Sequence, residues 1–121
     1  MERSQAVAAL AGLAQESRLD VFRLLVQAGP EGMPAGQVAA ALGLAPNTLT
    51  FHFDRLRAAG LITVRRQSRS MIYAARFEAM NALLVYLTEN CCGGTSTCAP
   101  PVCTPPKTVH RTARKRRKVT A

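Results

Sequence analysis

Residues 34–62, PAGQVAAALGLAPNTLTFHFDRLRAAGLI, restrict the fold more than any other stretch of the chain. Pro34 suits a first helical position, and Ala35 to Leu42 then reads as a short Ala-rich helix. Gly43 stands where a helix end needs a left-handed residue. Pro46 opens a second helix running to about Ala59, and Gly60 ends it. Two short helices across a glycine-containing turn of about three residues make a helix-turn-helix. Two β-prone runs follow, Leu61–Val64 and Met71–Ala74, on either side of the polar, basic stretch Arg65–Ser70. They read as a hairpin, or wing. The expected fold class is mainly α with a small β-hairpin, a winged helix-turn-helix.

The flanking segments supply further helices. Residues 2–14 place Val7, Leu10 and Leu13 on one face at helical spacing. Ser17 is the expected N-cap of a helix reaching about Gln27, with Leu19, Phe22, Leu25 and Val26 facing inward. Ala28–Gly32 is a loop by its Gly and Pro content. Phe77 to about Glu89 carries a stripe of Phe77, Met80, Leu83, Leu84 and Leu87. A chain of 121 residues has room for one small domain. No apolar run approaches the ~18 residues of a membrane span, and no basic-then-apolar leader opens the sequence. The chain is therefore expected to be soluble and cytoplasmic, with no membrane partner. An enzyme is not expected: the two histidines lie far apart and acids are few.

Helical geometry sorts the second helix of the motif. At 100° per residue, Leu49, Phe53 and Leu56 share one face and should pack on the preceding helix. Asn47, Phe51 and Asp54 point roughly opposite, with Thr48, Thr50 and Arg55 on the flanks. These are the positions that a major-groove helix offers to bases and phosphates. Asn47 and the threonines can hydrogen-bond base edges or phosphates, Arg55 can pair with a phosphate or a guanine, and Phe51 can meet a thymine methyl. His52 lies about 60° from the centre of the apolar face, which suits a packed buttress and a DNA contact equally. The wing arginines Arg65, Arg66 and Arg69 can reach phosphates or the minor groove.

In this order the elements resemble the ArsR/SmtB family of bacterial repressors. LAQESRLDVFRLL is similar to that family's LADPTRLRILRLL-type signature. NTLTFHFDRLRAAGLI is similar to its STVSRHLKALREAGLV-type recognition helix, and RRQSRSMIYAA fills the wing. The resemblance covers about residues 5–90. It implies a homodimer held by the two terminal helices and a palindromic double-stranded operator as partner. Two departures stand out. Ala45 occupies a position where a Ser or Thr cap is common, and Phe51 and Asp54 stand where polar or basic residues are usual.

Charge and cysteine divide the rest of the chain. Residues 1–106 hold nine arginines against seven acids, a net +2, whereas 107–121 carry +7 with no acid. The sequence thus reads as a DNA-binding and dimerisation domain over 1–90, a cysteine-containing segment over 91–106, and a basic tail over 107–121. The tail is a solvated extension or a non-specific phosphate contact. Cys91, Cys92, Cys98 and Cys103 fall within thirteen residues. Disulfides are disfavoured in a reducing cytosol, and paired C-x-x-C zinc spacing is absent. Adjacent thiols and a third beyond Gly93-Gly94 suit a soft, pyramidal centre such as trivalent arsenic or antimony.

NCCGGTSTC also resembles one arsenic-sensing design of the family, a Cys-Cys pair just after the last helix with a third cysteine six residues on. That resemblance assigns Cys91, Cys92 and Cys98 as metalloid ligands, with Cys103 an extra thiol and no organic cofactor. The expected function is an arsenic(III)- or antimony(III)-responsive repressor. The alternatives are a zinc, cadmium or mercury sensor of the same fold and a metal-independent DNA-binding module.

Overall fold

A computed structural model describes residues 1–94. Five helices and three strands run in the order α1 (Arg3–Leu13), α2 (Glu16–Ala28), β1 (Met33–Pro34), α3 (Ala35–Leu42), α4 (Pro46–Ala58), β2 (Ile62–Gln67), β3 (Ser70–Ala75) and α5 (Phe77–Thr88). A short 3-10 turn, Cys91–Gly94, follows. The winged helix-turn-helix expected from the sequence is present.

Local chemistry sets most of the boundaries. Pro46 is at the start of α4, where its missing N–H costs nothing, and Ala45 caps that helix without a side-chain hydrogen bond. Gly43 closes α3 in the left-handed conformation (φ 66°, ψ 33°). Two expected helix starts are corrected. The N-cap of α2 is Gln15, not Ser17, because the Gln15 side chain accepts the Arg18 amide at 2.9 Å and begins the helix earlier. Pro34 caps α3 from outside its first turn: its backbone is extended (ψ 149°) because it pairs with Ile72 of β3.

The sheet is antiparallel in the order β1-β3-β2. Its hairpin is longer than the two four-residue runs expected. Arg65 and Arg66 pair with Ile72 and Met71 inside the ladder, and the turn shrinks to Ser68 and Arg69. Ser68 takes φ 57°, the left-handed value that a two-residue hairpin turn asks of its first residue. Strand β1, only two residues long, is too short to carry a strand periodicity of its own.

The core lies between α2, α3, α4 and the sheet, with Val21, Leu25, Val38, Leu49, Phe53, Leu56 and Leu61 almost wholly enclosed. Phe53 stacks on Tyr73 at 3.7 Å, which fixes α4 to the wing. The inward face of α1 differs from the expected one. Ala6, Ala9 and Gly12 are buried, while Val7 and Leu10 are exposed. The reason is close packing: a Cβ on Gly12 would stand 2.8 Å from the Ala59 Cβ, so α1 presses on the end of α4 through its smallest residues. Leu19 of α2 also faces outward rather than inward, whereas Phe22, Leu25, Phe77 and Leu83 are buried; Leu87 lies on the exposed part of the α5 stripe.

Candidate nucleic-acid interface

The buried face of α4 is the one that its spacing predicts. Leu49, Phe53 and Leu56 are enclosed, so the opposite face is held outward by the core itself. Asn47, Thr48, Thr50, Phe51, Asp54 and Arg55 are all exposed. The Thr50 hydroxyl donates to the Pro46 carbonyl at 3.0 Å, leaving its oxygen free to accept. The Arg55 guanidinium lies over the Phe51 ring, 5.0 Å from its centroid. This pair follows from their i, i+4 spacing.

His52 belongs to the packed side. It is 5% exposed, and its Nδ1 has no hydrogen-bond partner among the described residues. Burial first, and the Arg18 guanidinium second, push its pKa below the usual histidine range. A neutral imidazole wedged beside Phe51, with ring centroids 5.9 Å apart, is a packing element and not a base contact.

Arg18 is a residue that sequence reasoning missed. Its Nε donates to the Gly12 carbonyl at 2.8 Å, tying α2 to the end of α1. With Phe51, Arg55 and Ala58 it lines an open groove of about 510 Å³ between α1 and α4. Only the fold brings it there, since no motif links it to α4.

The wing arginines divide into two kinds. The Arg65 guanidinium donates to the Glu31 carbonyl at 2.8 Å, bracing the wing against the loop before β1. Arg66 and Arg69 are exposed near the tip, next to Gln67 and Ser68. Gly32 allows that loop to pass so close: it takes φ 76°, and a Cβ there would run into the Tyr73 carbonyl.

The cysteine segment begins where α5 ends. Asn90 takes φ 59°, and Cys91 and Cys92 form the first two residues of the 3-10 turn, with Cys91 half-buried. Cys98 and Cys103 lie outside the described residues, as does the basic tail. No group of three His, Cys, Asp or Glu side chains is poised for a metal among the described residues.

Comparison with known proteins agrees with this geometry. A family model described as a helix-turn-helix domain matches residues 13–65. The HTH-type transcriptional regulator YgaV of Escherichia coli is 31% identical over 88 residues, spanning 73% of this chain and 87% of its own. An ArsR-like transcriptional regulator from Rhodococcus has the same fold, with a TM-score of 0.62 at 23% identity over 69% of this chain and 76% of its own. The chain belongs to the family of HTH-type transcriptional regulators. A homodimeric winged helix-turn-helix DNA-binding domain from Mycobacterium bovis superposes on the regulator with a TM-score of 0.58 at 24% identity, covering 72% of this chain and 81% of its own. Among the described residues no helix of the regulator is long and apolar enough to cross a membrane.

Proposed function

We propose that the regulator is a homodimeric repressor that binds a palindromic double-stranded operator and releases it when trivalent arsenic or antimony binds its cysteines. The observation that carries this reading is the position of Cys91 and Cys92. Only Glu89 and Asn90 separate them from α5, and α5 keeps Val85 and Leu87 exposed at 50% and 55%. Exposed Val7 and Leu10 on α1 add apolar surface on the other terminal helix. Such surface is costly in water and suits a second copy of the chain. The Mycobacterium domain, described as homodimeric, supports the same assembly.

In this reading α4 enters the major groove through Asn47, Thr48, Thr50, Phe51 and Arg55, while Arg66 and Arg69 of the wing meet the backbone. Arg65 acts indirectly, by bracing the wing. Cys91, Cys92 and Cys98 hold the inducer as thiolates, which gives them a preference for soft centres. Release requires that the thiolate site form better in a dimer whose recognition helices no longer match half-sites one helical turn apart.

The test is operator binding titrated separately with arsenite, antimonite, zinc and cadmium. Arsenite and antimonite should release the wild type. Cys91→Ser, Cys92→Ser and Cys98→Ser should each keep DNA binding and abolish that release, because a serine hydroxyl stays protonated and hard. Cys103→Ser should keep most of it. Release by zinc or cadmium alone would transfer the function to the divalent-metal reading. Unchanged release in the Cys91 and Cys92 variants would remove the segment from the sensor.

A further inference from the structure

Among the described residues, Phe51 is the one large apolar side chain that α4 leaves exposed, at 49%. It stands on the face opposite Leu49, Phe53 and Leu56, one helical turn before Arg55. The guanidinium of Arg55 lies over its ring at 5.0 Å. Two consequences follow. The arginine is partly ordered before any partner arrives, which lowers the entropy lost when it docks. The ring also lies beside the guanidinium, so any group that the guanidinium meets has the ring close by.

The geometry points to Phe51 and Arg55 as a single reading unit for a guanine whose neighbouring base pair presents a thymine methyl. This rests on the DNA-binding reading given above and goes further by naming part of what the helix reads. Arg55 offers two parallel N–H groups, which match the O6 and N7 acceptors of guanine in the major groove. With the guanidinium on that guanine, the Phe51 ring, 5.0 Å from it, is within reach of the adjacent pair. The apolar group available there is the C5-methyl of thymine, and no other natural base presents one. Asp54, exposed on the same face, disfavours a phosphate at this depth and so favours a base edge for Arg55.

The experiment is a selection from duplexes with a randomised 20-base-pair core (a length of roughly two turns), using the full chain without inducer. Wild type should enrich half-sites holding a guanine directly beside a T·A pair. Arg55→Ala should lose the guanine preference and Phe51→Ala the thymine preference, each leaving the other positions of the half-site in place. On the enriched duplex, replacing that thymine by deoxyuridine removes only the methyl. It should weaken wild type roughly fourfold, the worth of about one buried methyl group, and leave Phe51→Ala unaffected. Replacing the guanine by 7-deazaguanine removes N7 and should weaken wild type but not Arg55→Ala.

Enriched half-sites lacking this step, or variants with the wild-type profile, would overturn the reading unit while leaving DNA binding in place. A pool with no enriched sequence would overturn the DNA-binding reading and this inference with it. A change in the association state of Phe51→Ala by sedimentation would make the ring an interface contact and also overturn the proposal.

Discussion

Helices α1 and α4 touch each other, yet they use opposite rules for what goes inside. On α4 the large residues Leu49, Phe53 and Leu56 are buried, and the polar residues and Phe51 face out. On α1 the small residues Ala6, Ala9 and Gly12 are buried, and Val7 and Leu10 face out. The difference comes from separation. Phe53 and Leu56 fill space between α4 and its neighbours. Where α1 meets the end of α4 there is no space to fill, since even a methyl on Gly12 would collide with Ala59. An apolar stripe at helical spacing shows that one face will be covered, but it does not say by which molecule. On α4 the cover is the protein's own core; on α1 Val7 and Leu10 stay exposed, and the proposed second copy would cover them.

The sharpest way to break this contrast is Leu56→Ala. Leu56 is wholly enclosed, so its truncation should cost ~2–5 kcal/mol in urea denaturation. Leu10→Ala, at 44% exposure, should cost far less in a protomer kept dilute enough to be monomeric. Equal losses at the two positions would mean that α1 buries its large residues in the protomer after all.

A second experiment asks what covers the outer stripe. Leu10→Asp combined with Leu87→Asp should preserve the helical circular dichroism spectrum while shifting the sedimenting species from dimer to monomer. A dimer that survived both charges would have to be built on another face.

The smallest effect concerns His52, which sits where α4 turns from outer to inner face. Its folded pKa lies below the usual 6.5, through burial and then through Arg18. The unfolded chain therefore takes up a proton that the folded chain refuses. Stability is fully present above about pH 6.5 and declines as pH falls through that value toward the lower folded pKa. His52→Leu should flatten this decline between pH 7 and 5 in thermal melts, at little cost at pH 7, because it also removes the unpartnered Nδ1. An unchanged slope would place the acid sensitivity elsewhere.

Much of this fold could be read from punctuation. Gly43, Pro46 and Gly60 marked the helix-turn-helix, because each residue type has few backbone conformations open to it. The exposed face of α4 was also legible, since its buried complement follows simple periodicity. What escaped the sequence depends on contacts between distant segments. Pro34 was drawn out of α3 by pairing with Ile72, a partner 38 positions away. Arg65, read as a phosphate contact, also donates to the Glu31 carbonyl, 34 positions away. Gln15 displaced Ser17 as the cap of α2 because its side-chain carbonyl accepts the Arg18 amide. His52, balanced between two roles by angle alone, was decided by the packing around it.

The ladder from β1 through β3 to β2, the Arg65 brace and the Phe53–Tyr73 stack have a joint mechanical effect. They hold α4 and the wing at one fixed offset, like the jaws of a locked caliper. Under the proposed function, a protomer would then engage groove and backbone together or leave both together. A signal from the cysteines would not have to reshape the reading surface. In the proposed dimer, a small swivel of the whole unit would lift every contact at once, an abrupt response from modest motion.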